Sequence, residues 1–133
     1  MARKSSCSGK KERITKSEAE CVRTARRVGA DEVILAAESE LERKLLNTSG
    51  AVVIKFWDGR PHLAEEAFAH VARKYADDVK FACVRVKDRK TSRKYELRHS
   101  PTYVFFEDGR EKSRIAGVTP REALDVWCEL NSE

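Results

Sequence analysis

The segment Ala51-Val52-Val53-Ile54, running on into Lys55-Phe56-Trp57, restricts the fold more than any other part of the chain. Its apolar residues are consecutive, not alternating, which fits a central strand buried on both faces and demands a layer on each side of the sheet. The neighbouring segments supply those layers. Val33-Ile34-Leu35 reads as a short strand, and Ser39 is placed to cap a helix through Leu45 and Leu46, ended by Asn47-Thr48-Ser49-Gly50. Asp58-Gly59-Arg60 makes a turn, and Pro61 suits the first position of a helix that carries Leu63, Ala67, Phe68, Val71 and Tyr75 on one face. Val79 to Val86 is a further strand, and Thr91 can cap a short helix containing Tyr95 and Leu97. Thr102 to Phe106 and Arg110 to Ala116 form strands joined by an Asp108-Gly109 hairpin turn. Thr119-Pro120-Arg121-Glu122 has the form of a capping box and opens a last helix with Leu124, Trp127 and Leu130. The order β-α-β-α-β-α-β-β-α predicts an α/β sandwich around a central mixed sheet flanked by helices.

The charge is divided unevenly along the chain. Residues 1–30 hold nine Lys/Arg against three Glu, a balance of +6, whereas the other 103 residues hold 18 basic and 19 acidic groups, a balance of −1. Two regions follow: a basic N-terminal extension over 1–30 and a nearly neutral domain over 31–133. In the extension, Arg3, Lys4, Lys10, Lys11 and Arg13 belong to a Ser/Lys-rich stretch with little to bury, expected to be disordered. Ser17-Glu18-Ala19-Glu20 then resembles a capping box, and Cys21, Val22, Ala25 and Val28 give a short helix a narrow apolar stripe opposite Arg23, Arg26 and Arg27. Such arms serve nucleic acid, acidic protein surfaces or nuclear import. A second basic cluster, Lys87-Asp88-Arg89-Lys90 with Arg93, Lys94 and Arg98, lacks the interleaved aromatics of a base-stacking platform and reads as a solvated face. No apolar run approaches a membrane span and the N-terminus has no apolar core of a secretory leader, so a cytoplasmic or nuclear location with no membrane partner is expected. Cys7, Cys21, Cys83 and Cys128 stand too far apart to form a local metal or redox pair.

Several segments resemble thioredoxin. Ser39 to Trp57 looks like that family's first helix and central strand, and Lys94-Tyr95-Glu96-Leu97-Arg98-His99-Ser100-Pro101-Thr102 looks like the stretch leading to its cis-proline. Phe105-Phe106-Glu107-Asp108-Gly109, Gly117 and the final amphipathic helix also match, so the resemblance spans about residues 31–133. It implies a thioredoxin-like fold with a cis peptide before Pro101. The chemistry departs from it. Where the family carries W-C-G-P-C, this chain reads Trp57-Asp58-Gly59-Arg60-Pro61-His62 in a shorter loop. Disulfide exchange needs an attacking thiolate and a resolving thiol, and that loop supplies neither. The family's buried acid before the Phe-Trp pair is here Lys55, whose stem is expected to pack while its ammonium reaches the surface.

A redox-inactive protein is therefore expected, not an enzyme and without cofactor or metal, that binds or scaffolds a protein partner. The groove implied by the resemblance is bordered by Trp57, Asp58, Gly59, Arg60, Pro61, His62, Ser100, Pro101 and Gly117, and in the family such an edge pairs with an extended stretch of substrate. The basic arm would add attachment to an acidic or nucleic-acid partner, and a monomer is expected. Two alternatives stay open. Lys55, Phe56 and Tyr95-Glu96-Leu97 are similar to residues of a spliceosome-associated thioredoxin-like family, and a lone thiol working with glutathione would make an atypical oxidoreductase. A metal or proton-transfer role for His62 and His99 beside Asp58, and a nucleophilic Ser100, are weaker readings because no further ligand or acid–base partner is placed by spacing.

Overall fold

The computed structural model describes residues 33–60 and 65–132. Five strands form one sheet: β1 (Ile34–Ala36), β2 (Ala51–Trp57), β3 (Val79–Arg85), β4 (Thr102–Glu107) and β5 (Arg110–Ala116). Their spatial order is β1-β3-β2-β4-β5. β3 runs parallel to both β1 and β2, while β4 is antiparallel to β2 and to β5, so the sheet is mixed as the element order predicts. Among the described residues three α-helices accompany it: α1 (Glu65–Tyr75), α2 (Arg89–Lys94) and α3 (Arg121–Asn131). The segment between β1 and β2 is helical too, a 3-10 turn at Glu38–Glu40 followed by a π-wound stretch at Leu41–Leu46.

β2 is central, and the two faces of the sheet bury different sets of residues. Val53, Trp57, Phe81, Cys83, Tyr103 and Phe105 pack with Phe68 and Val71 of α1 and with Leu124, Trp127 and Cys128 of α3. Val52, Ile54, Phe56, Ala82, Val84, Val104 and Phe106 pack on the opposite side with Leu41 and Leu45, supported by Tyr95 and Leu97. Burying a side chain of this size contributes roughly 1.5–3 kcal/mol, so the two clusters together hold the sandwich against its loss of chain entropy.

The helix ends differ from the pattern read in the sequence. Ser39 is not the cap of the first helical segment; the Glu40 carboxylate reaches back and accepts the Ala37 N–H at 3.0 Å. Burial opposes the charge on Glu40, yet that N–H and the nearby Lys44 outweigh it and hold its carboxyl below the usual range. Thr91 does not cap α2, because Asp88 three residues earlier accepts the Lys90 N–H at 2.9 Å and starts the helix at Arg89. The box expected at Thr119–Glu122 does not form, since the Thr119 hydroxyl donates to the Gly117 carbonyl at 2.9 Å and α3 begins after Pro120 without a side-chain cap. Of the three apolar residues read on the last helix, Leu124 and Trp127 are buried while Leu130 is 66% exposed on the outer side of α3 with Val126. α1 begins at Glu65 among the described residues, and Pro61, His62 and Leu63 lie outside them, as does the whole 1–30 extension.

Candidate functional site

The C-terminal end of β2 meets the start of β4 at a cis Ser100–Pro101 peptide, as the resemblance implied. The two loops are tied by the Asp58 N–H, which donates to Ser100 Oγ at 3.0 Å. Asp58 then folds its own loop: Oδ1 accepts the Arg60 N–H at 3.0 Å, and Oδ2 lies 3.8 Å from Arg60 Nε. On the far side, the Gly117 N–H donates to the Pro101 carbonyl at 2.7 Å, and the Thr102 hydroxyl donates to the His99 carbonyl at 2.7 Å. Trp57, Gly59 and Pro101 are buried, while Asp58, Arg60, His99 and Ser100 are exposed around them. Of the groove residues read from the sequence, the structure thus brings Trp57, Asp58, Gly59, Arg60, Ser100, Pro101 and Gly117 to one end of the sheet. Pro61 and His62 fall outside the described residues, as do the basic-arm residues Arg3, Lys4, Lys10, Lys11, Arg13, Arg23, Arg26 and Arg27.

Gly59 has φ +91, a conformation that costs a side-chain-bearing residue free energy and costs glycine little. It also lets another group come close: a Cβ at this position would stand 2.5 Å from Arg85 Nε. Arg85 ends β3 opposite Trp57, where the Val86 N–H donates to the Trp57 carbonyl at 2.7 Å, and its Nε is buried with no hydrogen-bond partner among the described residues. The sequence reading passed over Arg85. Its only sequence signal is position, the last residue of a buried strand, and it gains meaning only when β3 is set in register beside β2. Val118, which the sequence reading places with Ala116 and Gly117 in the groove wall, is 57% exposed just after Gly117.

Lys55 corrects an expectation directly. Its ammonium does not reach the surface: the residue is 0% exposed. It lies opposite Cys83 of β3 and Tyr103 of β4, with Nζ 4.5 Å from the centre of the Trp57 ring and 5.8 Å from that of Phe68. Among the described residues Nζ has no hydrogen-bond acceptor. Aromatic faces attract a cation through their quadrupoles and offset part of the cost of removing it from water.

Both described cysteines are buried, Cys83 in β3 and Cys128 in α3. Burial, aided by the charge of Asp125, pushes the Cys128 thiol up to about 12, so it is protonated near neutral pH and a poor nucleophile. Among the described residues no group of three His, Cys, Asp or Glu side chains is gathered as a metal site would require, and no helix is long and apolar enough to cross a membrane.

Comparison with known proteins agrees with this architecture. The Thioredoxin family model matches residues 32–129. Thioredoxin M4 of Arabidopsis thaliana, a chloroplast protein, is 29% identical over 104 residues that cover 75% of this chain and 54% of the relative, so the chain spans about half of that protein's length. Thioredoxin Asp f 28 of Aspergillus fumigatus is 30% identical over 104 residues, covering 74% of this chain and 95% of the relative. Among solved structures, a cysteine-to-serine variant of Entamoeba histolytica thioredoxin superposes with a TM-score of 0.61 at 31% identity, covering 74% of this chain and 98% of the other. By fold, by cis-proline site and by sequence, the chain belongs to the thioredoxin family.

Proposed function

We propose that this chain is a family member that has given up dithiol–disulfide exchange and binds an extended polypeptide segment along the cis-Pro101 edge, as a scaffolding module of the cytoplasm or nucleus. One observation carries this reading. The Trp57–Arg60 loop offers a carboxylate, backbone N–H groups and a guanidinium but no thiol, and both described cysteines, Cys83 and Cys128, are buried. Exchange needs a thiolate that can reach its target disulfide. The remaining geometry supports a docking role: an exposed rim at Asp58, Arg60, His99, Ser100 and Val118 stands over a rigid floor of Trp57 and Pro101. The basic arm adds long-range attraction to an acidic partner.

The relatives are named thioredoxins, which supports a competing oxidoreductase reading, and one assay separates the two. With the full chain, insulin reduction by excess dithiothreitol is expected to proceed at the rate of dithiothreitol alone. Acceleration that scales with protein concentration would overturn the proposal and favour the oxidoreductase.

A further inference from the structure

The charges at this end of the sheet do not balance. Arg60 lies two residues beyond Asp58, Arg85 lies beneath Gly59, and Arg98 lies two residues before the Ser100–Pro101 peptide. Among the described residues of the Trp57–Arg60 and Arg98–Pro101 segments there is one carboxylate, Asp58, whose Oδ1 already accepts the Arg60 N–H. Beyond the end of β3, Glu38 accepts the N–H groups of Lys87 and Asp88, and Asp88 accepts that of Lys90. Under the floor stands Lys55, fully buried, its Nζ over the Trp57 ring and without an acceptor among the described residues.

We propose that the groove at the cis-Pro101 edge selects an acidic extended polypeptide segment, whose side-chain carboxylates pair with Arg60, Arg85 and Arg98 while its backbone follows the edge. This rests on the polypeptide-binding reading above and adds the chemistry of the partner. Side chains on one face of an extended strand recur every second residue, about 6.6 Å apart, so alternating acids would present successive carboxylates on the face turned to these guanidinium groups. Asp58 acts as an internal competitor, since its Oδ2 already lies 3.8 Å from Arg60 Nε and holds that guanidinium partly neutralised.

The test uses the full chain and three fluorescent probes: a short peptide of alternating Glu and Ala, the same peptide with Gln for Glu, and a single-stranded RNA oligonucleotide. The acidic peptide is expected to bind about tenfold tighter than its amide counterpart, with that advantage shrinking as salt rises from about 50 to about 300 mM. Arg60→Ala combined with Arg98→Ala is expected to weaken the acidic peptide about tenfold and leave the amide peptide unchanged. Asp58→Asn keeps the acceptor for the Arg60 N–H and is expected to strengthen the acidic peptide about threefold, a gain that damage to the fold does not produce. Equal binding of the acidic and amide peptides would overturn the acidic preference and leave the docking groove standing. Failure of both peptides to bind would overturn the groove itself. RNA that displaces the acidic peptide with equal affinity would overturn the assignment to a polypeptide.

Discussion

The two faces of β2 do different things with the same stretch of chain. Val52, Ile54 and Phe56 point into a purely apolar layer against Leu41 and Leu45. Val53, Lys55 and Trp57 point the other way, and there the apolar layer holds a cation. The first face is built for stability alone. The second is built around a group that a stable core would not choose, and it lies under the end of the sheet where the loops of the site converge. Replacing a buried charge by an apolar side chain of similar size is often neutral or stabilising, so its presence marks a requirement other than stability.

Mutations at adjacent residues test that contrast. Ile54→Ala, at 0% exposure in the apolar layer, is expected to lower stability by about 3–4 kcal/mol in chemical denaturation, through lost transfer and the cavity left behind. Lys55→Met is expected to act in the opposite direction, raising stability by about 1–2 kcal/mol, because it keeps the volume and removes a desolvated cation. If Lys55→Met were as harmful as Ile54→Ala, the two faces would not differ in kind.

A comparison of two glycines sharpens it further. Gly109, in the hairpin turn between β4 and β5, has φ +83, and a Cβ there would meet the Leu46 carbonyl oxygen at 2.5 Å. Gly59 has a similar φ, but its Cβ would meet the movable end of the Arg85 side chain. Gly109→Ala is expected to cost about 2 kcal/mol and Gly59→Ala about 1 kcal/mol, a difference readable as unequal shifts in the denaturation midpoint.

The last effect is electrostatic and lies on the face that carries Lys55. The Tyr75 hydroxyl donates to Asp125 Oδ1 at 2.7 Å, and Lys74 Nζ lies 2.9 Å from Oδ2. These two partners outweigh a slight burial and hold the Asp125 carboxyl below its ordinary range. A carboxyl whose folded pKa is lowered stabilises the protein fully above its unfolded pKa of about 3.9, and that stabilisation is lost as pH falls through the folded value. Asp125→Asn is therefore expected to cost about 1 kcal/mol at neutral pH, a cost that fades below about pH 4. A constant penalty at every pH would show that packing, not charge, is what Asp125 supplies.

Most of the fold is legible in the sequence because its signals are local and agree with one another. The continuous run at β2, the Asp108-Gly109 turn and the alternation of helical and strand patterns each point to the same sandwich. The caps are less legible because hydroxyls and carboxylates compete for them. Asp88 outbids Thr91 as an acceptor, and the Thr119 hydroxyl is drawn to the Gly117 carbonyl instead of the helix. At the site, Asp58, Arg60, Ser100 and Pro101 are readable from the resemblance. Arg85 is not, because it meets Gly59 only across the strand register. Lys55 misleads because a long aliphatic stem usually carries its charge to water, and here the aromatic rings of Trp57 and Phe68 enclose it instead.

The outer strands of the sheet carry one further consequence. β1 is only three residues long, and β5 reads Arg110-Glu111-Lys112-Ser113-Arg114-Ile115-Ala116, with its pairing to β4 shifted between Phe105 and Phe106. Short, charged or irregular edges resist pairing with a strand of another molecule. Between them lie Val52–Trp57 and Thr102–Phe106, the runs of the domain with the composition that feeds fibril growth. The sheet order therefore acts as a fence: the segments most able to aggregate are enclosed by strands least able to, and the hazard opens only when β1 or β5 peels away.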